Sequence, residues 1–313
     1  AQCLVGSEMC IRDRAYPDKE VYRPGTGSMN QFSNVDALGG NVFGVLLDYG
    51  QNLDVVNLFE SDFYKDYCAR LYDYNQKGYI SADASTDTTA VGELVKAGTL
   101  MSYTTGGKPG IKAQETTLTG RDMTIFQTLD DYIGSTSVAG MPWTIPISAQ
   151  HKEAAMKFLN ECYSNADVAN LLAWGIEGTH YKIGDDGLAT YADGVDASNS
   201  GWNHSMGWMM PNQFLTHVWE GNDPDLWDKM RDFNNNAKVS KASGFSFDST
   251  NVANEITAVQ NVYNEYQTSV EYGFVDPETG IAEMNDKMMA AGLQKIIDEK
   301  AAQLAAWQEA NKK

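Results

Sequence analysis

SVAGMPWTIPISAQHKEAAMKFLNECYSNADVANLLAWG, Ser137–Gly175, is the stretch from which the architecture is read. Its first part, SVAGMPWTIPI, has strand composition. Pro142 and Pro146 lack the N–H that a sheet ladder needs, so the segment is expected at a sheet edge or as a crossing between lobes. The spacing then changes. Ala155, Phe158, Leu159 and Cys162 recur at three and four residues and predict one apolar face of an amphipathic helix. Ser164 and Asp167 form an S-x-x-D start signal for a second helix that runs through Trp174 and closes at Gly175.

Towards the N-terminus, GGNVFGVLL, Gly39–Leu47, reads as an apolar strand or the start of a buried helix. VVNLFESDFYKDYCARLYDYNQKG, Val55–Gly78, predicts a helix with Phe59, Phe63, Tyr67, Leu71 and Tyr74 on its apolar face and Gly78 as its stop. A short helix in TDTTAVGELVKAG ends at Gly98, before a strand at Thr99–Thr104. After the glycine cluster Gly106, Gly107 and Gly110, Met123–Leu129 is expected to be another strand.

Towards the C-terminus, turn chemistry around LATY between Gly184 and Gly194 predicts a hairpin. Two helical stripes follow. Ile256, Val259, Val262, Tyr263 and Tyr266 make the first, and Met284, Met288, Leu293, Ile296, Ile297, Leu304 and Trp307 make the second beyond the turn Asp276–Gly280.

The chain has 313 residues, 23 Lys plus Arg against 42 Asp plus Glu, and a net charge of −19, which argues against nucleic acid or an anionic membrane surface as the main partner. With 42% hydrophobic residues, the whole cannot be disordered. The length has room for two lobes. No cysteine sits in a CxxC pair, and Cys68 and Cys162, each in a helical stripe, are expected as isolated thiols. LVGSEMCIRDR, Leu4–Arg14, resembles the single-frame translation of a transposase sequencing adapter. Residues 1–14 are therefore expected to be an assembly artefact on a chain truncated upstream of Ala15.

The motifs of catalysis are missing. His151, His180, His204 and His217 form no HxxxH or HExxH, GGKPG is not a Walker loop, and there is no GxSxG. Glu60, Glu177 and Asp248 are the acids nearest to aromatics and the candidates for an enzyme, against the ordinary role of solvated or capping carboxylates. No catalytic residue, metal ligand or cofactor is assigned.

What stands out is a set of aromatic and amide side chains: Tyr103, Trp143, Trp174, Trp202, Asn203, Trp208, Asn212, Gln213 and Trp219. Sugars present apolar C–H faces ringed by hydroxyls, and a site for them needs flat aromatic platforms beside groups that both donate and accept. Core packing is the competing role for every Trp. Trp219 and Trp227 fit a helical core, whereas Trp202 and Trp208, among Gly, Asn and Pro, fit a cleft.

In several stretches the chain resembles family 1 extracellular solute-binding proteins of ABC importers, in the Firmicutes lipoprotein type that ends in a helical region of unknown function. These stretches are GTLMSYTTGGKPGIKAQE, AGMPWTIPISAQHKEAAMKFLNECYSNADVANLLAWGIEGTHY, VDASNSGWNHSMGW, VWEGNDPDLWDKMRDFN, GFSFDSTNVANEITAVQNVYNEYQTSVEYGFVDPETGIAEM and GLQKIIDEKAAQLAAW. The resemblance implies an α/β, type II periplasmic-binding-protein-like fold of two lobes with a ligand closed between them and no catalysis. On that basis residues 15–134 and 198–313 form the second lobe, with the helical region from about 243 to 313. Residues 135–197 are the hinge crossing and a remnant of a mostly missing first lobe. The faces carrying Phe158, Leu159, Leu171, Leu172 and Trp174 should then lie uncovered.

The implied ligand is a carbohydrate, an oligosaccharide, held by Tyr103, Trp143, Trp202, Asn203, Trp208, Asn212 and Phe247. A peptide or other polar solute is the alternative, and a carbohydrate-active enzyme a distant one. The implied partners are ABC permease subunits. The implied setting is the outer face of the cell membrane, with a lipid anchor on the missing N-terminus and a monomeric complete protein.

Overall fold

A computed structural model describes residues 16, 19–24, 34–137, 142–202, 207–210 and 212–311. Strand β1, Glu20–Arg23, pairs in parallel with β2, Leu100–Tyr103. Between them lie helix α1, Asp62–Gln76, and helix α2, Val91–Ala97. The Ser61 hydroxyl accepts from the Tyr64 N–H to open α1, and Gly98 closes α2 at φ 80°. Arg23, almost fully buried at the end of β1, is held by Glu20 at 2.7 Å and Asp87 at 2.6 Å.

Helix α3, Ile111–Thr119, follows the glycine cluster, and β3, Tyr132–Ile133, comes after it. Helices α4, Lys152–Ser164, and α5, Ala166–Trp174, lead into the antiparallel hairpin of β4, Tyr181–Ile183, and β5, Ala189–Tyr191. Helix α6, Leu226–Asn236, precedes β6, Lys238–Val239, which pairs in parallel with β3. The chain finishes with α7, Ala253–Glu271, α8, Pro277–Ala290, and α9, Leu293–Ala310. The described residues therefore hold three two-stranded sheets among many helices.

Two compact units divide the chain. The first takes the described residues of 1–107, 114–137 and 237–313, and the second those of 108–113 and 138–236. The compact units part after Ser137, and residues 198–236 fall in the same unit as 138–197.

The first unit has the large core. Val259, Tyr263 and Val270 of α7, Ile281, Met284 and Met288 of α8, and Ile296 of α9 bury against Tyr64, Cys68 and Leu71 of α1 and Phe43, Leu58 and Phe59 of the loops before it. The second unit has a small one, Leu188, Val218 and Leu226 with Trp227 beside them. The faces expected to lie uncovered are open only in part. Phe158 is 53% and Leu171 52% exposed, and Leu159, Leu172 and Trp174 are half-buried.

Several sequence expectations change. Met123–Leu129 is not a strand: no described strand lies beside it, and Phe126 is 82% exposed. Of SVAGMPWTIPI, residues 138–141 lie outside the described residues, and Pro142–Ile147 has no strand structure. Gly39–Leu47 is neither strand nor helix. Positive φ at Leu38, Gly39 and Gly44 reduces it to single bridges, Asp36 with Leu46 and Val45 with Val56.

Asn165, not Ser164, caps α5, its side chain accepting from the Asp167 N–H at 3.0 Å, because the Ser164 hydroxyl is turned back onto the Asn160 carbonyl of α4. The long Met284–Trp307 stripe is two helices, broken at Gly292 where φ is 108°. Cys68 and Cys162 are buried free thiols as expected, and the adapter-like Leu4–Arg14 lies outside the described residues.

Gly273 takes φ 71° where the chain leaves α7, and a Cβ there would sit 2.3 Å from the Leu71 carbonyl oxygen and 2.5 Å from the Tyr72 Cα. Gly78, at φ 67°, has open space around it. Gly273→Ala is expected to lower stability by about 3 kcal/mol, combining left-handed strain with a forced backbone shift, and Gly78→Ala by only about 1 kcal/mol. Urea denaturation of both variants measures the difference.

Candidate functional site

In the second unit, α5 ends on Trp174 and delivers its indole onto Trp219, with ring centroids 4.7 Å apart, while Tyr191 of β5 meets Trp219 edge-on at 5.0 Å. Trp219 reaches this place through an extended segment beside the hairpin. Ala189 N–H donates to the Val218 carbonyl and Glu220 N–H donates to the Ala189 carbonyl, both at 2.8 Å. Trp219 is thus beside a sheet rather than on the helix expected for it.

Indole N–H groups staple the strand that carries it. Trp174 donates to the His217 carbonyl at 3.1 Å, and Trp227 of α6 donates to the Thr216 carbonyl at 2.7 Å. Asn170 completes the clamp, its side chain donating to the Leu215 carbonyl and accepting from the His217 N–H. These half-buried rings hold the unit together, and their N–H groups are already engaged.

Trp202 stands in a different position. It is 44% exposed and rests on the backbone of Gly175, where a Cβ would meet Trp202 Cδ1 at 3.1 Å and His180 Nδ1 at 2.5 Å. Gly175 has φ 83°, so its missing side chain serves both the helix end and this close approach. His180 Nδ1 accepts from the Ile176 N–H at 2.9 Å, which leaves Nε2 to carry the ring proton. A hydrogen-bond donor therefore sits beside an exposed aromatic face, a pairing suited to a polyhydroxylated ligand. The sequence drew attention to Trp202 but not to His180. The signal for His180 was its place in GIEGTH, one turn beyond a helix-ending glycine.

Trp143, also 44% exposed, has its face available and its N–H donated to the Met209 carbonyl at 2.8 Å. Asn212 is committed to the fold, donating to the Tyr163 carbonyl at 2.9 Å and capping the turn Gln213–Leu215 through the Phe214 N–H. Asn203 and the side chain of Trp208 lie outside the described residues.

Tyr103 and Phe247 belong to the first unit. The Tyr103 hydroxyl donates to the buried Glu115 carboxylate, and burial together with that bond pushes the phenol up. Phe247 is half-buried against the core. The described members of this set are thus split between the units, and among them Trp143 and Trp202 are the aromatic side chains that stand open.

Two of the three enzyme candidates, Asp248 and Glu60, have structural partners. Asp248 accepts from the Thr250 N–H and hydroxyl, which holds its carboxyl below the usual range, and Glu60 accepts from the Asn285 amide. An open, mostly apolar groove of about 510 Å³ lies among Ile145, Ile147, Lys152, Glu153 and Met156. It has no aromatic ring and so lacks the stacking surface found at Trp202.

Residues 241–309 match a domain of unknown function, DUF3502. The chain is 27% identical over 256 residues to a carbohydrate ABC transporter substrate-binding protein of Streptococcus pneumoniae serotype 4 (strain ATCC BAA-334 / TIGR4), covering 80% of this chain and 51% of that one. It spans about half the length of this curated relative. The fold matches the crystal structure of the N-glycan transport solute binding protein (NgtS) from Streptococcus pneumoniae with a TM-score of 0.83 and 22% identity, over 98% of this chain and 67% of that one. The structure of that protein in complex with Man5GlcNAc matches with a TM-score of 0.76 and 22% identity, over 99% and 68%. The chain has the solute-binding-protein fold, with DUF3502 at residues 241–309, and the resemblance read from its sequence is borne out.

The two classes of tryptophan should separate on mutation. Trp219→Ala is expected to cost about 3 kcal/mol, because it empties a site packed by the tilted Trp174 ring and the edge of Tyr191, and Trp202→Ala under about 1 kcal/mol. Denaturant midpoints followed by far-ultraviolet circular dichroism test this.

Proposed function

We propose that this chain belongs to an extracytoplasmic receptor that captures an oligosaccharide and passes it to the permease of an ABC importer, without chemical conversion. The observation that carries this reading is the exposed Trp202 face over Gly175 with His180 beside it, on a fold shared with a protein solved in complex with Man5GlcNAc. Stacking on Trp202 would remove the apolar face of a sugar ring from water, while His180 Nε2–H and nearby main-chain groups meet its hydroxyls. Trp143 offers a second platform in the same unit. The acidic chain suits a neutral glycan better than an anionic one.

Handing a ligand to a permease calls for modest affinity and reversible release, which shape and stacking supply without buried charge pairs. The setting carried by this reading is the outer face of the cell membrane, with a lipid anchor for attachment and a monomer as the working form. Among the described residues no helix is long and apolar enough to cross a membrane.

Calorimetric titration of the chain with a mannose-containing N-glycan should give a saturable isotherm with no product in the cell. Trp202→Ala should weaken it by roughly 1–3 kcal/mol, the range found for single aromatic platforms under nucleobases. Release of free sugar would overturn the receptor reading, and a response to peptides alone would move the ligand to that class.

A further inference from the structure

Lys300 of α9 has no exposed surface, and among the described residues no carboxylate lies within ion-pair distance of it, the buried Asp36 acting on it only from further off. Its ammonium instead points into the loop before α1. It donates to the Asn41 carbonyl at 2.7 Å, the Gly44 carbonyl at 2.9 Å and the Ala37 carbonyl at 3.2 Å, with Asn41 Oδ1 at 3.4 Å. The Phe247 ring lies beneath it, 5.4 Å from Nζ to centroid. An ammonium has three hydrogens in a compact tetrahedral arrangement, and three main-chain oxygens converge on it from one short loop.

That loop is shaped to point its oxygens inward. Leu38 takes φ 59° although it is a buried leucine, Gly39 takes φ 84°, and Gly44 takes φ 90°. Left-handed backbone at a non-glycine residue persists only where surrounding contacts over-determine it. At Leu38 the N–H donates to Asp36 Oδ1 at 2.9 Å and the carbonyl accepts from the Phe247 N–H at 3.1 Å. Gly44 lets the loop lie directly on α9, since a Cβ there would be 3.3 Å from the Ile297 Cα, one turn before Lys300.

We propose that residues 37–44 form a cage for a monovalent cation and that DUF3502 fills it with a tethered one, the Lys300 ammonium, so that this segment acts as an internal ligand of the loop. The cage suits an ammonium or a potassium-sized ion, which bind through neutral oxygens, better than a divalent ion that draws carboxylates. Burial lowers the Lys300 pKa to about 7, with Asp36 acting in the opposite direction, so the amine is charged in mildly acidic solution. Without it, carbonyl oxygens buried around one point would lose their donor and repel one another.

The test uses the 313-residue chain at pH 6. Lys300→Met keeps the volume and removes the charge. It is expected to lower the melting temperature by roughly 5 °C or more, as a loss of a few hydrogen bonds does in a domain of this size. Amide hydrogen exchange should speed up in residues 37–46 before the α7–α8 core. Lys300→Ala leaves a space for a small cation. n-Propylammonium chloride should raise its melting temperature, or restore folding if the variant is unfolded without it, and n-propanol or sodium chloride at the same concentration should not. The proposal is overturned if Lys300→Met keeps wild-type protection in the loop. It is equally overturned if propanol rescues Lys300→Ala as well as propylammonium does, or if no additive has any effect.

Discussion

The close approach of Gly273 to the backbone of Leu71 and Tyr72 sets how α7 and α8 can lie on α1. With no Cβ at this turn, the two helical layers meet at main-chain distance, and Tyr64, Cys68, Val259, Tyr263, Met284 and Met288 fill what remains. A buried carboxylate is fixed by the same packing. Glu271 has no exposed surface and accepts from the hydroxyls of Tyr263 at 2.7 Å and Tyr64 at 3.2 Å. Burial beside this carboxylate pushes the Tyr64 and Tyr263 phenols and the Cys68 thiol up. Cys68 is therefore an inert core residue. The helices of DUF3502 are part of this core rather than an attachment to it.

The second unit is organised differently. Its apolar core is small, and indole N–H groups and the Asn170 amide do much of the joining. Aromatic side chains can hold a strand through a hydrogen bond at one end while presenting a face at the other. Trp174, Trp227 and Trp143 all donate to main-chain carbonyls, yet Trp143 is 44% exposed and Trp174 packs at a tilt against Trp219. The same residue type is therefore packed at one position and half-open at another, and neighbours decide which.

The aromatic and amide set proposed for ligand recognition was legible in the sequence as a composition: tryptophans, amides and glycines crowded between 198 and 219. Its assignment to particular residues was less legible. Asn212 looked like a hydroxyl partner and is a cap whose amide spans to Tyr163. Trp219 looked helical and lies beside a hairpin. His180 looked like an ordinary histidine and sits against Trp202 because Gly175 leaves room for both. In each case the deciding contact comes from an element that local spacing does not contain.

What the sequence determined by itself are the features whose causes lie within a turn or two of chain. The stops at Gly98 and Gly175 and the hairpin between Tyr181 and Tyr191 follow from backbone preferences and local hydrogen bonds. Asp276–Gly280, expected as a turn, is instead the start of α8, with the Asp276 side chain accepting from the Thr279 N–H and Pro277 as the first helical residue. Tertiary structure decided the rest. Met123–Leu129 has strand-like residues but no partner strand among the described residues, while Tyr132–Ile133 is a strand because Lys238–Val239 lies alongside. Ser135 is held by Asp36, 99 positions away, and Lys300 reaches Ala37 across 263. A strand, a cage or an open aromatic face exists only when distant groups complete it, since a buried donor or acceptor needs a partner and propensity cannot specify where that partner comes from.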